Sequence, residues 1–403
     1  MEEHDAIIVG ARPAGSTLAI ALADRGWDVA MVDRDTFPST TVSTHLLYPK
    51  TLARLESLGV LDALQAEHEL RFVTHRVHGL GHETAGTFTS FDGYDRGAAP
   101  RRIALDKAGV DTALEKGVTG LFGTRVIELI GAGTDEDPAR GVRLEDGREI
   151  RARWVFGADG RGSAVATRLG LEKQRPQRGD LAISYSYWRG ISATDEITLQ
   201  IKLDEMLYHG PVEDGLFMLI ANGPADLAQG TKPERERKYM EMIRRFPETF
   251  DPAQLEAAEM VTDVTVAPEP LMQGFFRTPS GPGWALVGDA CHFKHPATAQ
   301  GIGDAVEQAI YVAEALSGPR PSLDHYEQWR DARSAEHYDW SFAWGRFPNP
   351  EIAEDLFRGW ASEPQAGQDL RDALARQIEP SQLMTKERLA RWFASAPAPA
   401  SAG

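Results

Sequence analysis

The first residues whose types and spacing could do chemistry form a turn, Gly10-Ala-Arg-Pro-Ala-Gly15, between an apolar run and a segment with helical periodicity. Gly10 permits a tight turn, and Gly15 lets the helix and the strand approach closely. The N-terminus of such a helix presents free N–H groups to a pyrophosphate. Asp33 ends the next apolar run, where a carboxylate can accept hydrogen bonds from a ribose hydroxyl. The pattern predicts a dinucleotide-binding βαβ unit.

Arg12 departs from the usual pattern of this turn, because it stands at the position of the middle glycine. Its Cβ falls where the backbone and a pyrophosphate usually come close. Strand-to-helix turns that bind nothing also match the motif, so the assignment needs support from other segments.

Two later segments supply that support. Residues 157–163 contain Asp159 beside Gly160 in a glycine-rich turn that follows an apolar run. Residues 288–303 begin with a Gly-Asp pair, Gly288 and Asp289, and end with a Gly-Ile-Gly sequence that opens a helix. Carboxylates at strand ends, next to a helix N-terminus, suit a ligand that carries hydroxyl and phosphate groups.

In order and spacing, the three segments resemble the motifs of the FAD-dependent aromatic hydroxylases, the p-hydroxybenzoate hydroxylase superfamily. That superfamily also contains flavin halogenases and geranylgeranyl-type reductases. The resemblance covers about residues 5–330. It implies FAD as the cofactor, and it implies FAD contacts at Gly10, Arg12, Pro13, Ala14, Gly15, Asp33, Arg34, Thr44, Arg102, Val126, Asp159, Gly160, Gly288, Asp289, Pro296, Gly301 and Ile302.

The resemblance also implies particular roles. Asp289 would hold the ribityl chain, and Arg102 would reach the flavin chain or a phosphate. Pro296 would lie against the ring, and the helix that begins near Gly301 would point its N–H groups at the pyrimidine edge, which becomes anionic on reduction. Asp159 would lie beside the pyrophosphate and the route of the nicotinamide.

Two histidines are candidates for proton transfer, because the unperturbed pKa of histidine is ~6.5. His295 stands before Pro296, where similar sequences often carry an acidic residue, and His45 lies in a polar loop. Packing in the loop is the alternative role for His295. Gly303 replaces an asparagine that is usual in the third motif, which leaves open how the far side of the pyrimidine is bound.

The order of the elements predicts an α/β fold: a Rossmann-like FAD-binding domain of the glutathione-reductase type, an inserted antiparallel sheet for the substrate, and a helical C-terminal region. We expect a discontinuous FAD-binding domain at 1–70, 101–175 and 276–330, and a substrate-binding sheet domain at 71–100 and 176–275. C-terminal helices at 331–395 and a flexible tail at 396–403 complete the expected organisation.

Aromatic and apolar residues on the inserted strands are the substrate candidates: Tyr185, Tyr187, His209, Phe217 and Leu219. Strand alternation sends about half of such residues to each face of a sheet, so packing behind the sheet is the alternative for any one of them. Arg71, Arg76 and Arg189 are the candidates to bind a carboxylate on the substrate.

The function that these features favour is a monooxygenase that uses NADH or NADPH and O2 to oxygenate an aromatic or other electron-rich small molecule through a flavin C4a-hydroperoxide. Natural-product biosynthesis is one setting for such an enzyme. The sequence carries one dinucleotide fingerprint, which fits a nicotinamide that visits transiently.

Three alternatives stay open. A reductase of the geranylgeranyl type is the runner-up, although the strands are mixed aromatic and polar where an isoprenoid tunnel would be apolar. A halogenase would carry a WxWxIP-like segment, which this sequence lacks. A non-catalytic FAD-fold chaperone would not need Asp33, Asp159 and Asp289.

Composition restricts the partners, the covalent links and the location that can be expected for this chain. The net charge of −17 argues against nucleic acid or an anionic membrane as the main partner. The single cysteine, Cys291, excludes an internal disulfide or a thiolate zinc site, and no metal is expected. The chain shows no export signal and no apolar run that could span a bilayer, so a cytoplasmic location is expected. The oligomeric state stays open.

Overall fold

The computed structural model describes residues 2–43, 46–192, 194–250, 252–267, 272–346 and 349–394. The strands are β1 (Glu2–Val9), β2 (Val29–Asp33), β3 (Phe72–Gly79), β4 (His82–Gly86), β5 (Gly97–Ala98), β6 (Thr119–Phe122), β7 (Val126–Ile130), β8 (Gly141–Leu144), β9 (Glu149–Gly157), β10 (Gln174–Gln177), β11 (Ala182–Arg189), β12 (Glu196–Ile201), β13 (Met206–Pro211), β14 (Phe217–Gly223), β15 (Glu259–Met260), β16 (Thr265–Ala267), β17 (Gly274–Phe276), β18 (Ser280–Gly281), β19 (Trp284–Leu286) and β20 (His292–Phe293). The helices are α1 (Pro13–Ala23), α2 (Pro49–Ser57), α3 (Val60–Glu67), α4 (Arg102–Glu115), α5 (Ala164–Arg168), α6 (Lys232–Ile243), α7 (Pro252–Ala257), α8 (Gly301–Ser317), α9 (Tyr326–Trp344), α10 (Pro350–Ser362), α11 (Pro364–Leu374), α12 (Pro380–Leu383) and α13 (Lys386–Ala394).

An eight-stranded sheet contains the predicted βαβ unit. Its main path is β18-β19-β9-β1-β2-β6, and the five strands from β19 to β6 run parallel. Ile7 and Ile8 of β1 point to opposite faces of the sheet, yet neither is exposed to solvent. Both faces are therefore covered, as parallel sheets require.

A nine-stranded sheet follows the path β15-β11-β14-β13-β12-β3-β4, with β16 on β11 and β5 on β3. Its strands are antiparallel except for the β12–β3 pair. Alternation along β14 gives the sheet two different faces. Met218 and Ile220 pack with the C-terminal helices on what we call the inner face, whereas Phe217 and Leu219 pack with α6 on the outer face.

The C-terminal helices close the inner face. Trp344, Trp360 and Leu370, from α9, α10 and α11, belong to the same apolar cluster as the inner-face residues. Arg371 of α11 donates to the carbonyl oxygen of Thr87 at 2.9 Å and to the hydroxyl of Thr84 at 2.9 Å, which ties this helix to the edge at β4. A small third sheet, β10-β17-β20, lies against α9 through Phe276 and Tyr338.

The α/β architecture with an inserted, mainly antiparallel sheet and a helical C-terminal region confirms the predicted fold class. None of the described helices is both long and apolar enough to cross a membrane.

The close approach at Gly15 gives a test of the first βαβ unit. A Cβ at this position would lie 1.7 Å from the carbonyl oxygen of Gly10, so α1 must move away from β1 to accept alanine. We expect Gly15→Ala to lower the free energy of unfolding by about 1–3 kcal/mol, the usual cost of overpacking, in chemical denaturation. Gly162→Ala is the control, because a Cβ there meets no atom within 4 Å. Equal stability of the two variants would contradict the packing described.

Candidate functional site

A cleft of about 660 Å³ lies where β1, β2 and β9 end and where α1 and α8 begin. Its volume falls within the range of about 300–1,000 Å³ that is typical of ligand sites. The predicted FAD and catalytic residues that line it are Gly10, Arg12, Pro13, Ala14, Asp33, Arg34, Arg102, Val126, Asp159, Gly160, Gly288, Asp289, His295, Pro296, Gly301 and Ile302. Gly15 lies behind the cleft as a packing residue, and Thr44 and His45 fall outside the described residues.

The first turn has the conformation that the motif predicts. Gly10 has φ +102°, and a Cβ there would lie 2.5 Å from the carbonyl oxygen of Ala158. The Asp33 carboxylate accepts the backbone N–H of Ala11 at 2.7 Å and that of Asp35 at 2.9 Å. A carboxylate has further lone pairs, so Asp33 holds the turn and can still accept a ribose hydroxyl.

Arg12 fits the turn because buried and half-buried carboxylates hold its side chain at the edge of the cleft. Its guanidinium donates to Asp106 at 2.6 Å and to Asp35 at 3.0 Å. Arg102 donates to the same Asp106 carboxylate at 2.7 and 3.0 Å. The Asp106 side chain is wholly buried, so one carboxylate positions two guanidinium groups at the edge of the cleft. Sequence reasoning missed Asp106, although its spacing of four residues from Arg102 was a signal.

Two carboxylates remain for hydroxyl groups of a ligand. Asp289 lines the cleft and has no hydrogen bond or ion pair with another described residue. Burial raises its pKa to about 6, and the nearby charges of Arg161 and Arg102 oppose that rise. Asp159 accepts the backbone N–H of Ala164 at 2.6 Å, and burial raises its pKa as well. Such acceptors match the ribityl and ribose hydroxyls of FAD, so the residues present fit this cofactor.

The N-terminus of α8 forms the other end of the cleft. Gly301 and Ile302 contribute their first-turn N–H groups, and Lys294 lies nearby in an ion pair with Asp304 at 2.6 Å. Burial lowers the pKa of Lys294 to about 7. Gly303, which replaces the usual asparagine, leaves room for Thr51, since a Cβ at Gly303 would lie 2.8 Å from the Thr51 hydroxyl.

His295 is enclosed at the cleft wall. A Cβ on Gly179 or on Gly345 would lie 2.4 Å from its ring, and Phe342 packs against it edge to face. Its Nδ1 accepts the backbone N–H of Ala297 at 3.2 Å, and burial lowers its pKa to about 3. The ring is therefore neutral at physiological pH and holds the turn that presents Pro296. A catalytic role for His295 stays a prediction.

The substrate candidates lie on both faces of the nine-stranded sheet. Tyr185 and Tyr187 are on the inner face, and Tyr185 donates to the carbonyl oxygen of Thr41, which lines the cleft. His209, Phe217 and Leu219 are on the outer face, where His209 stacks on Phe217. The structure therefore does not bring these three residues to the cleft. Side chains alternate between the two faces along β13 and β14, and these three occupy the positions that point to the outer face.

The predicted carboxylate-binding arginines also point elsewhere. Arg71 pairs with Asp195 at 2.5 Å, Arg76 with Glu196 at 2.7 Å, and Arg189 with Glu259 at 3.4 Å. The residues that do join the cleft to the inner face are apolar: Ile183, Met272, Phe293 and Ala299.

Comparison with known proteins decides the family. Residues 3–341 match the family described as "FAD binding domain". This chain belongs to that family. The predicted relation to the FAD-dependent aromatic hydroxylase superfamily is thereby confirmed, with FAD as the cofactor, and the residues of the cleft fit that cofactor.

Individual relatives agree with this family. The chain is 28% identical over 330 residues to a menaquinone reductase of Mycobacterium tuberculosis, covering 78% of this chain and 77% of the relative. It is 28% identical over 332 residues to a 6-methylpretetramide 4-monooxygenase of Streptomyces rimosus, covering 77% and 55%. A flavoprotein/dehydrogenase from Cytophaga hutchinsonii has a similar fold, with a TM-score of 0.79, 19% identity and 94% coverage of both chains.

The pKa of Asp289 predicts how FAD binding depends on pH. Hydrogen bonds from hydroxyl groups favour the ionised carboxylate, but in the FAD-free protein burial holds the pKa at about 6. Below that pH the carboxyl must lose a proton on binding, so the affinity falls as the pH falls. We expect FAD fluorescence titrations to show weaker binding at pH 5 than at pH 7. Asp289→Asn should bind FAD more weakly at pH 7 and show a shallower pH dependence. Identical pH profiles for the two proteins would rule out this role.

Proposed function

We propose that the chain is an FAD-dependent monooxygenase that uses NADH or NADPH and O2 to hydroxylate or oxygenate an aromatic or other electron-rich small molecule. The observation that carries the proposal is the junction between the cleft and the inner face of the nine-stranded sheet. Ile183 and Met272 border both, so a small molecule on the inner face would lie next to the cofactor cleft. The relative named as a 6-methylpretetramide 4-monooxygenase supports this assignment.

FAD bound in the cleft would supply hydride acceptance from a nicotinamide and activation of O2. The residues of the chain would position the parts of the cofactor. Asp33 and the N-terminus of α1 suit the adenosine and pyrophosphate end, and Asp289 suits the ribityl hydroxyls. The N-terminus of α8 favours negative charge at its end of the cleft. Apolar side chains where the cleft meets the sheet exclude water from the reacting region.

The nicotinamide nucleotide enters this proposal as a transient co-substrate. Within the described ranges, the βαβ unit of β1, α1 and β2 is the one that carries the dinucleotide motif, and FAD would occupy it. NADH or NADPH would bind at an open part of the cleft and leave after hydride transfer. The domain boundaries given from the sequence belong to the same proposal, with the nine-stranded sheet as the substrate-binding domain.

A reductase is the second candidate, since a relative of similar identity is named as a menaquinone reductase. The two functions differ in the fate of oxygen. A monooxygenase places one atom of O2 in its product, whereas a reductase adds hydrogen to its substrate and needs no O2.

One experiment separates them. The FAD-loaded protein should oxidise NADH or NADPH faster when a suitable phenol, indole or quinol is present, with matching uptake of O2. With ¹⁸O2, mass spectrometry should detect one labelled oxygen atom in the product. The Asp289→Asn variant, from which the FAD has been removed, serves as the inactive control. Substrate reduction in the absence of O2, with no label incorporated, would refute the monooxygenase assignment in favour of the reductase.

A further inference from the structure

Lys294 is a buried cation in the wall of the cofactor cleft, at the end where α8 begins. The residue is 5% exposed, and its ammonium group forms an ion pair with the Asp304 carboxylate at 2.6 Å. Asp304 lies in the first turn of α8 and lines the same cleft. An ammonium group has three N–H donors, and the described residues offer Nζ no hydrogen bond beyond this ion pair. Donors of Lys294 are therefore left for a ligand in the cleft.

Arg376 holds Asp304 from the side of the C-terminal helices. Arg376 follows α11 in the left-handed backbone conformation, with φ +58°. Its guanidinium donates to the Asp304 carboxylate and to the carbonyl oxygen of Arg333. The Asp304 carboxylate thus binds two cations, and it fixes the Lys294 ammonium beside the N-terminus of α8.

The cluster of Lys294, Asp304 and Arg376 carries two positive charges against one negative charge. The dipole of α8 adds a positive potential at the same end of the helix. His292 and His337 also face Lys294, but burial lowers the pKa of both rings and keeps them neutral. The cluster therefore favours a negative charge on a ligand at this end of the cleft.

Two further carboxyl groups act on Lys294. Glu379, which precedes α12, has a side chain that is 42% exposed, so water screens its charge. Asp289 lines the cleft, where hydroxyl groups of the cofactor suit it. Despite these groups, burial lowers the pKa of Lys294 to about 7. A new negative charge in the cleft would raise this pKa, because it favours the protonated ammonium.

A small polar cavity on the other side of Asp304 gives Lys294 access to protons. The cavity has a volume of about 30 Å³, and its lining includes Asp304, Arg376, Glu307 and Arg333. This volume is enough for a water molecule. The Arg333 side chain is 42% exposed, which places the cavity next to bulk water. The Asp304 carboxylate lines both the cavity and the cleft, so it connects water in the cavity to the Lys294 ammonium.

We infer that Lys294 pairs with the negative charge that FAD gains on reduction, and that it does so by taking up one proton from water through Asp304. Hydride transfer from NADH or NADPH brings two electrons and one proton, leaves NAD⁺ or NADP⁺, and adds one negative charge to the cofactor. The proton that Lys294 takes up balances this charge and returns to water when the cofactor is reoxidised. The inference goes beyond the proposed function, because a monooxygenase and a reductase must both reduce their FAD.

Anaerobic reductive titration of the FAD-loaded protein counts these protons. The reduction midpoint, measured against a reference dye at several pH values, gives the number of protons taken up per two electrons. We expect one proton at about pH 6, where Lys294 is already protonated before reduction. We expect two protons at about pH 8, where reduction itself protonates Lys294. A wild-type protein whose proton number does not rise between these pH values would overturn the inference.

Two substitutions of Lys294 separate its charge from its proton. Lys294→Met removes both, so the equilibrium constant for reduction of bound FAD at pH 7 should fall about tenfold or more. Lys294→Arg keeps a charge that does not titrate, so the same equilibrium constant should stay at least as high as in the wild type. Both variants should take up one proton at pH 8. A second proton at that pH in either FAD-loaded variant would contradict the role of Lys294.

Asp304→Asn tests how Lys294 is positioned. This substitution removes a charge that raises the pKa of Lys294, so the second proton should appear at a lower pH than in the wild type. A purely structural role for Asp304 would change FAD occupancy or the melting temperature and leave that pH where it is.

Lys173→Met is the matched control for the loss of a lysine charge. Lys173 is exposed, its ammonium lies 4.6 Å from the centroid of the Phe275 ring, and it does not line the described cleft. We expect the proton number and the equilibrium constant for reduction to match those of the wild type. A fall equal to that in Lys294→Met would show that net charge alone is responsible, and it would refute the inference.

Discussion

Two buried carboxylates bind the two arginines at the start of α4 and thereby hold the cofactor cleft and the nine-stranded sheet in a fixed relation. Asp106 binds Arg12 from the first glycine turn and Arg102 from α4 itself. Glu213, in the turn between β13 and β14, accepts the backbone N–H of Arg101 at 2.8 Å and also binds its guanidinium. Removing one partner of a buried ion pair usually costs about 3–5 kcal/mol. The cleft and the sheet are thus joined at two successive residues, Arg101 and Arg102.

This arrangement explains how the chain tolerates an arginine in a glycine motif. The usual middle glycine lets the backbone approach a pyrophosphate, and Arg12 preserves the turn because Asp106 and Asp35 draw its side chain aside. Arg12 therefore links the glycine turn to α4 through the hydrogen bonds that it and Arg102 donate to Asp106. Gly303 is a comparable exchange, since the missing side chain makes room for Thr51 of α2.

The sequence predicted those site residues that can be recognised from their neighbours along the chain. Gly10, Asp33, Asp159 and Asp289 follow strand ends, and parallel strands bring their carboxyl ends to one edge, so these residues meet in the cleft. Glu213 was missed because its partner Arg101 lies 112 residues away in sequence, and Asp106 was missed because Arg12, which it joins to Arg102, lies 94 residues away.

The faces of the inserted sheet were harder to predict. His209, Phe217 and Leu219 have the composition of a substrate pocket, but the phase of β13 and β14 directs them outward. The face to which each side chain points depends on the register of its strand. Pairing with distant strands decides that register, and local composition does not. The inner-face residues Tyr208 and Met218 are each one position away from a residue that the sequence favoured.

Amide hydrogen exchange tests most directly whether the start of α4 couples the two halves of the molecule. Adding FAD to the wild-type protein should slow exchange in the turn between β13 and β14, because FAD would order Arg102 and thereby Arg101, which Glu213 binds. In Glu213→Gln, FAD should still bind, and that protection should be lost while protection of the cleft itself remains. Equal FAD-induced protection of the turn in both proteins would contradict the coupling.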